Sequence, residues 1–192
     1  MYKIRALYHP MSGMLWKFYA LRIKPKQDIV KTCNRKTEEG SEGVIFDESK
    51  VFLDQSIGDM LGVFRFIAGK AYELGIVKDE KTACDDLLDR EKMMMTGLQD
   101  YFAIPHCRTD NVQKAAVFYL SLTDAIEWES FDNKGVKYIF CIMAPEENSG
   151  DIHLRLLSVL AAKLIDENFR KEFVKLRDKT EIVNMVTMEE ET

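Results

Sequence analysis

The sequence has no apolar run long enough to cross a membrane. Its longest uninterrupted apolar stretches cover residues 138–144 and 115–120, whereas a transmembrane helix needs about 20 apolar residues. The apolar and aromatic stretch at residues 14–23 is interrupted by Lys17 and Arg22, and no small-residue cleavage pattern follows it, so no secretory signal is predicted. We therefore expect no direct insertion into a membrane.

Cysteine is scarce and is never paired at short spacing. The four cysteines, at positions 33, 84, 107 and 141, lie far apart and form no CxxC motif. This pattern predicts reduced thiols in a cytoplasmic protein rather than a disulfide or zinc framework. The motifs GxSxG and GxGxxG and the phosphate-binding P-loop are also absent, which disfavours ordinary hydrolases and nucleotide-binding proteins.

An excess of positive charge is missing from most of the chain. Residues 1–45 hold nine basic and four acidic residues, whereas residues 46–192 hold 18 basic and 28 acidic residues. Neutralisation of phosphates by Lys and Arg supplies most of a protein's affinity for nucleic acid. We therefore do not expect nucleic acid to be a partner.

Composition divides the chain into an N-terminal extension, residues 1–45, and a domain, residues 46–192. Residues 31–43 are polar and contain glycine and serine, which is typical of a linker. The basic extension allows three interpretations: an amphipathic contact with a membrane or a partner, a loosely ordered segment of unknown role, or an over-long predicted start. We assign no role to His9.

The rest of the chain alternates helical and strand patterns, which predicts an α/β domain. Residues 56–59 resemble a capping box that opens a helix ending near Gly75, and Asp79 is placed to cap the next helix. A short strand at residues 101–104 is expected to stop at Pro105. Two apolar β-rich runs predict interior strands at 115–122 and 136–144, and helices are predicted at 152–165, 166–176 and 179–188.

Two of the three histidines lie where chemistry is favoured. His106 follows a predicted strand and Pro105, at the point where we expect the chain to leave the sheet with a stiff backbone. His153 shares a helix face with a stripe of leucines but lies in the first helical turn, where backbone N–H groups favour an anion. Each histidine also has an ordinary interpretation, as a loop residue or as a hydrogen-bonded residue at the core boundary.

Arg90 adds a positive group on the apolar face of the second predicted helix. An unpaired guanidinium is costly to bury, so its expected partner is Glu91, another carboxylate or a bound phosphate, unless the side chain is simply solvated. Two histidines and an arginine near a helix start suggest phosphoryl chemistry on an imidazole nitrogen. A metal site formed by His106, Cys107 and His153 with one of Cys84 or Cys141 is the competing class, and no ligand spacing supports it.

Residues 90–106, which read REKMMMTGLQDYFAIPH, resemble the RE…TG…AIPH signature of enzyme IIA proteins of the fructose/mannitol type, from the bacterial sugar phosphotransferase system. The segment around Trp128 and the later APEE and HLRLLSVLA blocks are similar to further segments of that family. The order and spacing of the blocks agree over roughly residues 46–189. The chain is therefore identified as a candidate member of this family.

The resemblance assigns roles to individual residues. It makes His106 the phosphorylated histidine and His153 the second active-site histidine, which orients or stabilises the phosphohistidine. It places Arg90 and Thr96 in the pocket around the phosphoryl group. The sequence departs from the family at Cys107, where a small residue is usual, and at residues 101–102, where Tyr-Phe replaces the usual Gly-Ile.

The resemblance also implies a fold and partners. The fold is α/β, with a mixed β-sheet sandwiched between helices. The phosphocarrier protein HPr would donate the phosphoryl group. A cysteine of the cognate IIB component, which serves a membrane-bound IIC component, would receive it for uptake of a sugar such as fructose or mannitol. The family works in the cytoplasm, and no cofactor or metal is implied. The alternative is a nitrogen-type regulatory IIA protein, which binds target proteins according to its phosphorylation state.

Overall fold

The computed structural model describes residues 44–146 and 150–187. The linker and nearly all of the N-terminal extension lie outside these residues, as do the side chains of residues 150–153 and 155. The strands are β1 (Val51–Gln55), β2 (Phe102–Ala103), β3 (His106–Thr109), β4 (Ala116–Ile126) and β5 (Val136–Pro145). The helices are α1 (Met60–Glu73), α2 (Glu80–Met93), α3 (Gly150–Ile165), α4 (Glu167–Phe173) and α5 (Lys179–Thr187).

The five strands form one mixed sheet. Its order is β1-β4-β5-β2, and β3 also pairs with β5. Strands β4 and β5 are antiparallel, whereas β1 is parallel to β4, and β2 and β3 are parallel to β5. The two apolar runs predicted as interior strands therefore form the centre of the sheet. Strand β1 was not predicted, since it is short and contains Asp54, a residue type that is depleted in strands.

Helices cover both faces of the sheet. Along β4, Phe118 and Leu120 belong to the core that lies under α1 and α2, whereas Val117 and Tyr119 belong to the core under α3, α4 and α5. A strand that is buried on both faces has a continuous apolar sequence rather than an alternating one. This arrangement confirms the predicted fold class, a mixed sheet between helices.

Two aspartates begin the helices α1 and α2. The carboxylate of Asp79 accepts a hydrogen bond from the Thr82 backbone N–H at 2.7 Å, which confirms the predicted cap. The capping box at residues 56–59 was wrong in its details, because Asp59 rather than Ser56 is the N-cap and accepts from the Gly62 N–H at 2.6 Å. An ionised carboxylate both accepts this bond and favours the positive end of the helix.

None of the helices within residues 44–146 and 150–187 combines the length and the apolar character that a membrane crossing requires.

Arg170 connects α4 to two other parts of the fold. The residue is 5% exposed, and its Nη1 donates to the carbonyl oxygens of Leu164 and Ile165 at 2.7 and 2.9 Å. Its Nε donates to Oδ2 of Asp100 at 3.0 Å, in the turn that precedes β2. This bond lowers the pKa of the Asp100 carboxyl group, because it favours the charged form.

Replacing Arg170 with Met is expected to lower the free energy of unfolding by roughly 2 kcal/mol, since two carbonyl groups lose their donor. The stability that depends on ionised Asp100 is present above the ordinary pKa of 3.8. It is lost as the pH falls through the lower value of the folded state. Arg170→Met should therefore also weaken the acid dependence of stability below about pH 4.

Denaturant unfolding followed by circular dichroism, repeated at several pH values, measures both effects. Lys114→Met removes an exposed lysine that lies outside the contacts of Arg170, and should unfold like the wild type. An Arg170→Met protein with the stability and acid dependence of the wild type would show that the Arg170 contacts contribute nothing.

Candidate functional site

The structure brings Arg90 and His106 into direct contact. Arg90 lies in the last turn of α2, and its Nε donates to Nε2 of His106 at 3.0 Å. Its Nη1 donates to the carbonyl oxygen of Met94 at 3.0 Å, just beyond the end of the helix. Within the part of the chain that the structure describes, no ion pair joins Arg90 to Glu91 or to another carboxylate. The contacts found are a ring nitrogen and a backbone carbonyl rather than a carboxylate, and a bound phosphate as partner stays a prediction.

His106 is the first residue of β3, which corrects the expectation that the chain leaves the sheet at this point. Pro105 has no N–H to donate and lies between β2 and β3, which both pair with β5. Its carbonyl oxygen still accepts from the Ile142 N–H at 3.0 Å, and His106 pairs with Ile142 along the same edge of β5. The chain therefore stays in the sheet, and the half-buried imidazole lies at an interruption of its edge strand.

The contacts of the imidazole assign its protons. Nδ1 of His106 lies 2.9 Å from the carbonyl oxygen of Ile104, which can only accept, so Nδ1 carries the hydrogen. Nε2 then carries a lone pair and accepts from Arg90. A doubly protonated ring could not accept that bond, because both of its nitrogens are donors. This arrangement presents a neutral imidazole whose lone pair lies on Nε2.

Behind Arg90, a buried cluster surrounds the carboxylate of Glu91. Oε1 accepts from the Thr96 backbone N–H at 2.9 Å and from the Trp128 indole N–H at 2.9 Å, and Oε2 accepts from the Thr96 hydroxyl at 2.6 Å. We call Glu91, Thr96 and Trp128 the Glu91 cluster. The hydroxyl proton of Thr96 is used here, so direct binding of phosphate by Thr96 stays a prediction.

Gly97 allows two loops to meet beside this cluster. It forms bridges to Ala103 and to Ser130. A Cβ added at this position would lie 2.1 Å from the carbonyl oxygen of Glu129 and 2.9 Å from Cα of Ser130, closer than any side chain allows. Glycine is therefore needed at position 97 to let the segment that carries Trp128 approach Thr96.

His153 lies in the first turn of α3, which agrees with the predicted helix position. The leucine stripe that follows is confirmed, since Leu156, Leu160 and Leu164 are buried in the core under this helix. The side chain of His153 lies outside the described part of the structure. Its approach to His106 therefore stays a prediction.

The buried cysteines do not offer a nucleophile. Cys107 points into the core beside His106, and burial raises the pKa of its thiol to about 12. Burial also raises the pKa of Cys141 well above its ordinary value. Both thiols are therefore protonated near neutral pH. Among the side chains that the structure describes, no group of three or more His, Cys, Asp or Glu residues is placed to hold a metal ion.

Comparison with known sequences gives a family match over most of the chain. A sequence profile described as phosphoenolpyruvate-dependent sugar phosphotransferase system, EIIA 2 matches residues 44–188. The fructose-specific EIIA component from Haloferax volcanii is 31% identical over 125 residues, which cover 65% of this chain and 80% of that protein. The chain spans 20% or less of the longer fructose-specific EIIABC components and multiphosphoryl transfer proteins that it also matches.

Comparison with solved structures gives the same fold. Nitrogen regulatory protein IIA-Ntr from Neisseria meningitidis is 27% identical, with a TM-score of 0.69 over 74% of this chain and 96% of that chain. The mannitol IIA enzyme from Escherichia coli, solved in complex with phosphorylated mannitol IIB, has a TM-score of 0.62 over 73% of this chain and 96% of that chain. At 19% identity, this second likeness supports the fold alone.

Gly97→Ala is expected to lower the free energy of unfolding by roughly 1–3 kcal/mol, because the new methyl group forces two backbone segments apart. Gly58→Ala is the matched control, since an added Cβ there meets nothing within 4 Å. It should leave stability unchanged or raise it slightly by restricting the unfolded chain. Urea unfolding of both variants measures the difference. Equal stability of the two variants would show that the close approach at Gly97 is not required.

Proposed function

Because the chain belongs to the EIIA type 2 family of the phosphoenolpyruvate-dependent sugar phosphotransferase system, we propose that it is a phosphocarrier that uses His106. In this proposal, His106 accepts a phosphoryl group from phosphorylated HPr. It then passes the group to a cysteine of the cognate IIB component in the cytoplasm. The IIB component in turn serves a membrane-bound IIC component that takes up a sugar of the fructose or mannitol type.

The observation that carries the proposal is the orientation of the His106 ring. With the hydrogen of Nδ1 on the Ile104 carbonyl, the lone pair of Nε2 is available for attack without prior removal of a proton. In the forward step the bond between phosphorus and Nε2 forms while the bond between phosphorus and the donor nitrogen breaks, and the donor nitrogen keeps the electron pair. In the transfer to IIB, the cysteine thiolate attacks phosphorus: the bond between sulfur and phosphorus forms while the bond between phosphorus and Nε2 breaks, and Nε2 keeps the electron pair.

Arg90 is placed to act on the phosphoryl group itself. Its Nε–H donates to Nε2 in this structure, so this bond has to break as phosphorus approaches the lone pair. The guanidinium then lies beside the new bond, where its N–H groups can donate to the phosphoryl oxygens. Positive charge and fixed donors around the equatorial oxygens are the main contributions a protein makes to phosphoryl transfer.

His153 is proposed as the second group around the phosphoryl oxygens. Its backbone lies in the first turn of α3, where free N–H groups and the helix dipole favour an anion. A neutral imidazole at this position can donate one further hydrogen bond. The contacts of Arg90 and His153 with the phosphoryl oxygens together stabilise the phosphohistidine enough for it to form, and still allow its transfer to the next carrier.

The charge of the domain supports a protein partner with a basic surface. Residues 46–192 carry 28 acidic and 18 basic residues, and complementary charge speeds the association of proteins and selects among partners. Both proposed partners, HPr and IIB, have to approach the same edge of the sheet to reach Nε2 of His106. Binding of one partner therefore excludes the other, and the phosphoryl group is carried between them.

A regulatory role is the second candidate function. It is favoured by the likeness to the nitrogen regulatory protein from Neisseria meningitidis, at 27% identity and a TM-score of 0.69. In that case phosphorylation of His106 would change the surface around Arg90 and alter binding to a target protein. Transfer of the phosphoryl group to a IIB cysteine separates the two candidates, because only the transport role requires it.

The full chain incubated with enzyme I, HPr and phosphoenolpyruvate is expected to gain one phosphoryl group, about 80 Da by mass spectrometry under alkaline conditions. His106→Ala should gain none, because the nucleophile is removed. Cys107→Ser changes the neighbouring residue without touching the imidazole contacts and should still be phosphorylated. Phosphorylation of His106→Ala, or none in the wild type, would overturn the proposal.

Arg90→Met is expected to slow phosphorylation by phosphorylated HPr about 100- to 1,000-fold, the range found when one charged or oriented donor is lost from a transition state. Arg65→Met removes an exposed arginine from α1 and should leave the rate unchanged. Rapid-quench measurement of the phosphorylated fraction against time gives both rates. If the two variants have equal rates, Arg90 does not contribute to the transfer.

A further inference from the structure

Hydrogen bonds connect both nitrogens of the His106 ring to residues 90–96, one through Ile104 and the other through Arg90. Nδ1 donates to the carbonyl oxygen of Ile104, and the Ile104 N–H donates to the carbonyl oxygen of Thr96 at 3.0 Å. On the other side, Nε2 accepts from Arg90, whose Nη1 donates to the carbonyl oxygen of Met94. The position of the segment from Met94 to Thr96 therefore affects both hydrogen bonds of the imidazole.

The Glu91 cluster fixes this segment. The Glu91 carboxylate accepts hydrogen bonds from the backbone N–H and the hydroxyl of Thr96. It also accepts one from the indole N–H of Trp128. Thr96 and Trp128 are only 6% and 5% exposed, and Trp128 packs edge-on against Phe64 with ring centroids 5.2 Å apart. Hydrogen bonds to an ionised carboxylate are among the stronger ones in proteins.

We propose that Glu91, Thr96 and Trp128 are positioning residues that select the tautomer of His106 with the hydrogen on Nδ1 and the lone pair on Nε2. The inference rests on the proposed function, since it explains why Nε2 is the atom that takes the phosphoryl group. It also gives Thr96 a task that does not require contact with phosphate. The cluster acts through the Thr96 carbonyl on one ring nitrogen and through Arg90 on the other.

The chemistry of the two tautomers explains why such a selection matters. An isolated neutral imidazole exchanges between the two forms, and a ring with its hydrogen on Nε2 has no lone pair there to attack phosphorus. Hydrogen bonds to neighbouring groups decide which nitrogen keeps the hydrogen. Loss of the Glu91 cluster frees the Thr96 carbonyl and the Arg90 side chain to move, so the form that is unable to react gains population.

Two variants of the full chain test the inference. Thr96→Val keeps the shape and the backbone N–H but removes the hydroxyl, and Trp128→Phe keeps an aromatic ring but removes the indole N–H. Thr96→Ser is the matched control: it keeps the hydroxyl and should behave like the wild type. Ile182→Val, in α5, lowers stability in the core on the opposite face of the sheet from Trp128, and controls for stability alone.

The readouts are the ¹⁵N NMR shifts of the His106 ring nitrogens near neutral pH and the rate of phosphorylation by phosphorylated HPr. In Thr96→Val and Trp128→Phe we expect the fraction of the tautomer with hydrogen on Nε2 to rise. We expect the rate to fall about 10- to 100-fold, as found for residues that orient a reacting group. Thr96→Ser and Ile182→Val should keep the wild-type shifts.

Unchanged ring shifts in both Thr96→Val and Trp128→Phe would overturn the inference. If Thr96→Val does not fold, Trp128→Phe decides the test alone. A wild-type protein that shows the tautomer with hydrogen on Nδ1 but takes no phosphoryl group would overturn the proposed function. The shift comparison among the variants would still decide the role of the cluster.

Discussion

The hydrogen bond from Arg90 to Nε2 of His106 is the contact around which the site is organised. A guanidinium N–H can only donate, so the ring nitrogen it meets has to offer a lone pair. The Ile104 carbonyl can only accept, so the opposite nitrogen has to carry the hydrogen. The Arg90 guanidinium and the Ile104 carbonyl together select a neutral imidazole with its lone pair on Nε2. In the proposed function, the same arginine donates to the phosphoryl oxygens once phosphorus is bound to Nε2.

The fold supplies this contact by interrupting the edge strand of its sheet. Pro105 separates β2 from β3 along one edge of β5, and His106 follows the interruption while still pairing with Ile142. Most residues of β4 and β5 are buried, and their apolar side chains line the cores on the two faces of the sheet. An interrupted edge is a place where a polar ring can be both rigidly held and reached by another protein.

Much of this arrangement follows from local sequence signals, and the rest depends on contacts between distant residues. The interior strands and the cap at Asp79 were predicted because apolar runs and aspartate caps act over a few residues. The continuation of the strand past Pro105 was not predicted, because it depends on pairing with Ile142, far along the chain. The contact of Glu91 with Trp128 joins residues 37 positions apart. Glu91 and Trp128 each lie in a sequence block that resembles the family. That shared resemblance is the sequence signal that could have linked the two residues.

The central claim is that Nε2 of His106 is the atom that carries the phosphoryl group. It is tested most directly by NMR of the phosphorylated full chain with ¹⁵N-labelled histidine, in which the ¹⁵N–³¹P coupling identifies the bonded nitrogen. The account predicts coupling to Nε2 of His106, with the hydrogen retained on Nδ1. Coupling to Nδ1 of His106, or to a nitrogen of a different histidine, would contradict it.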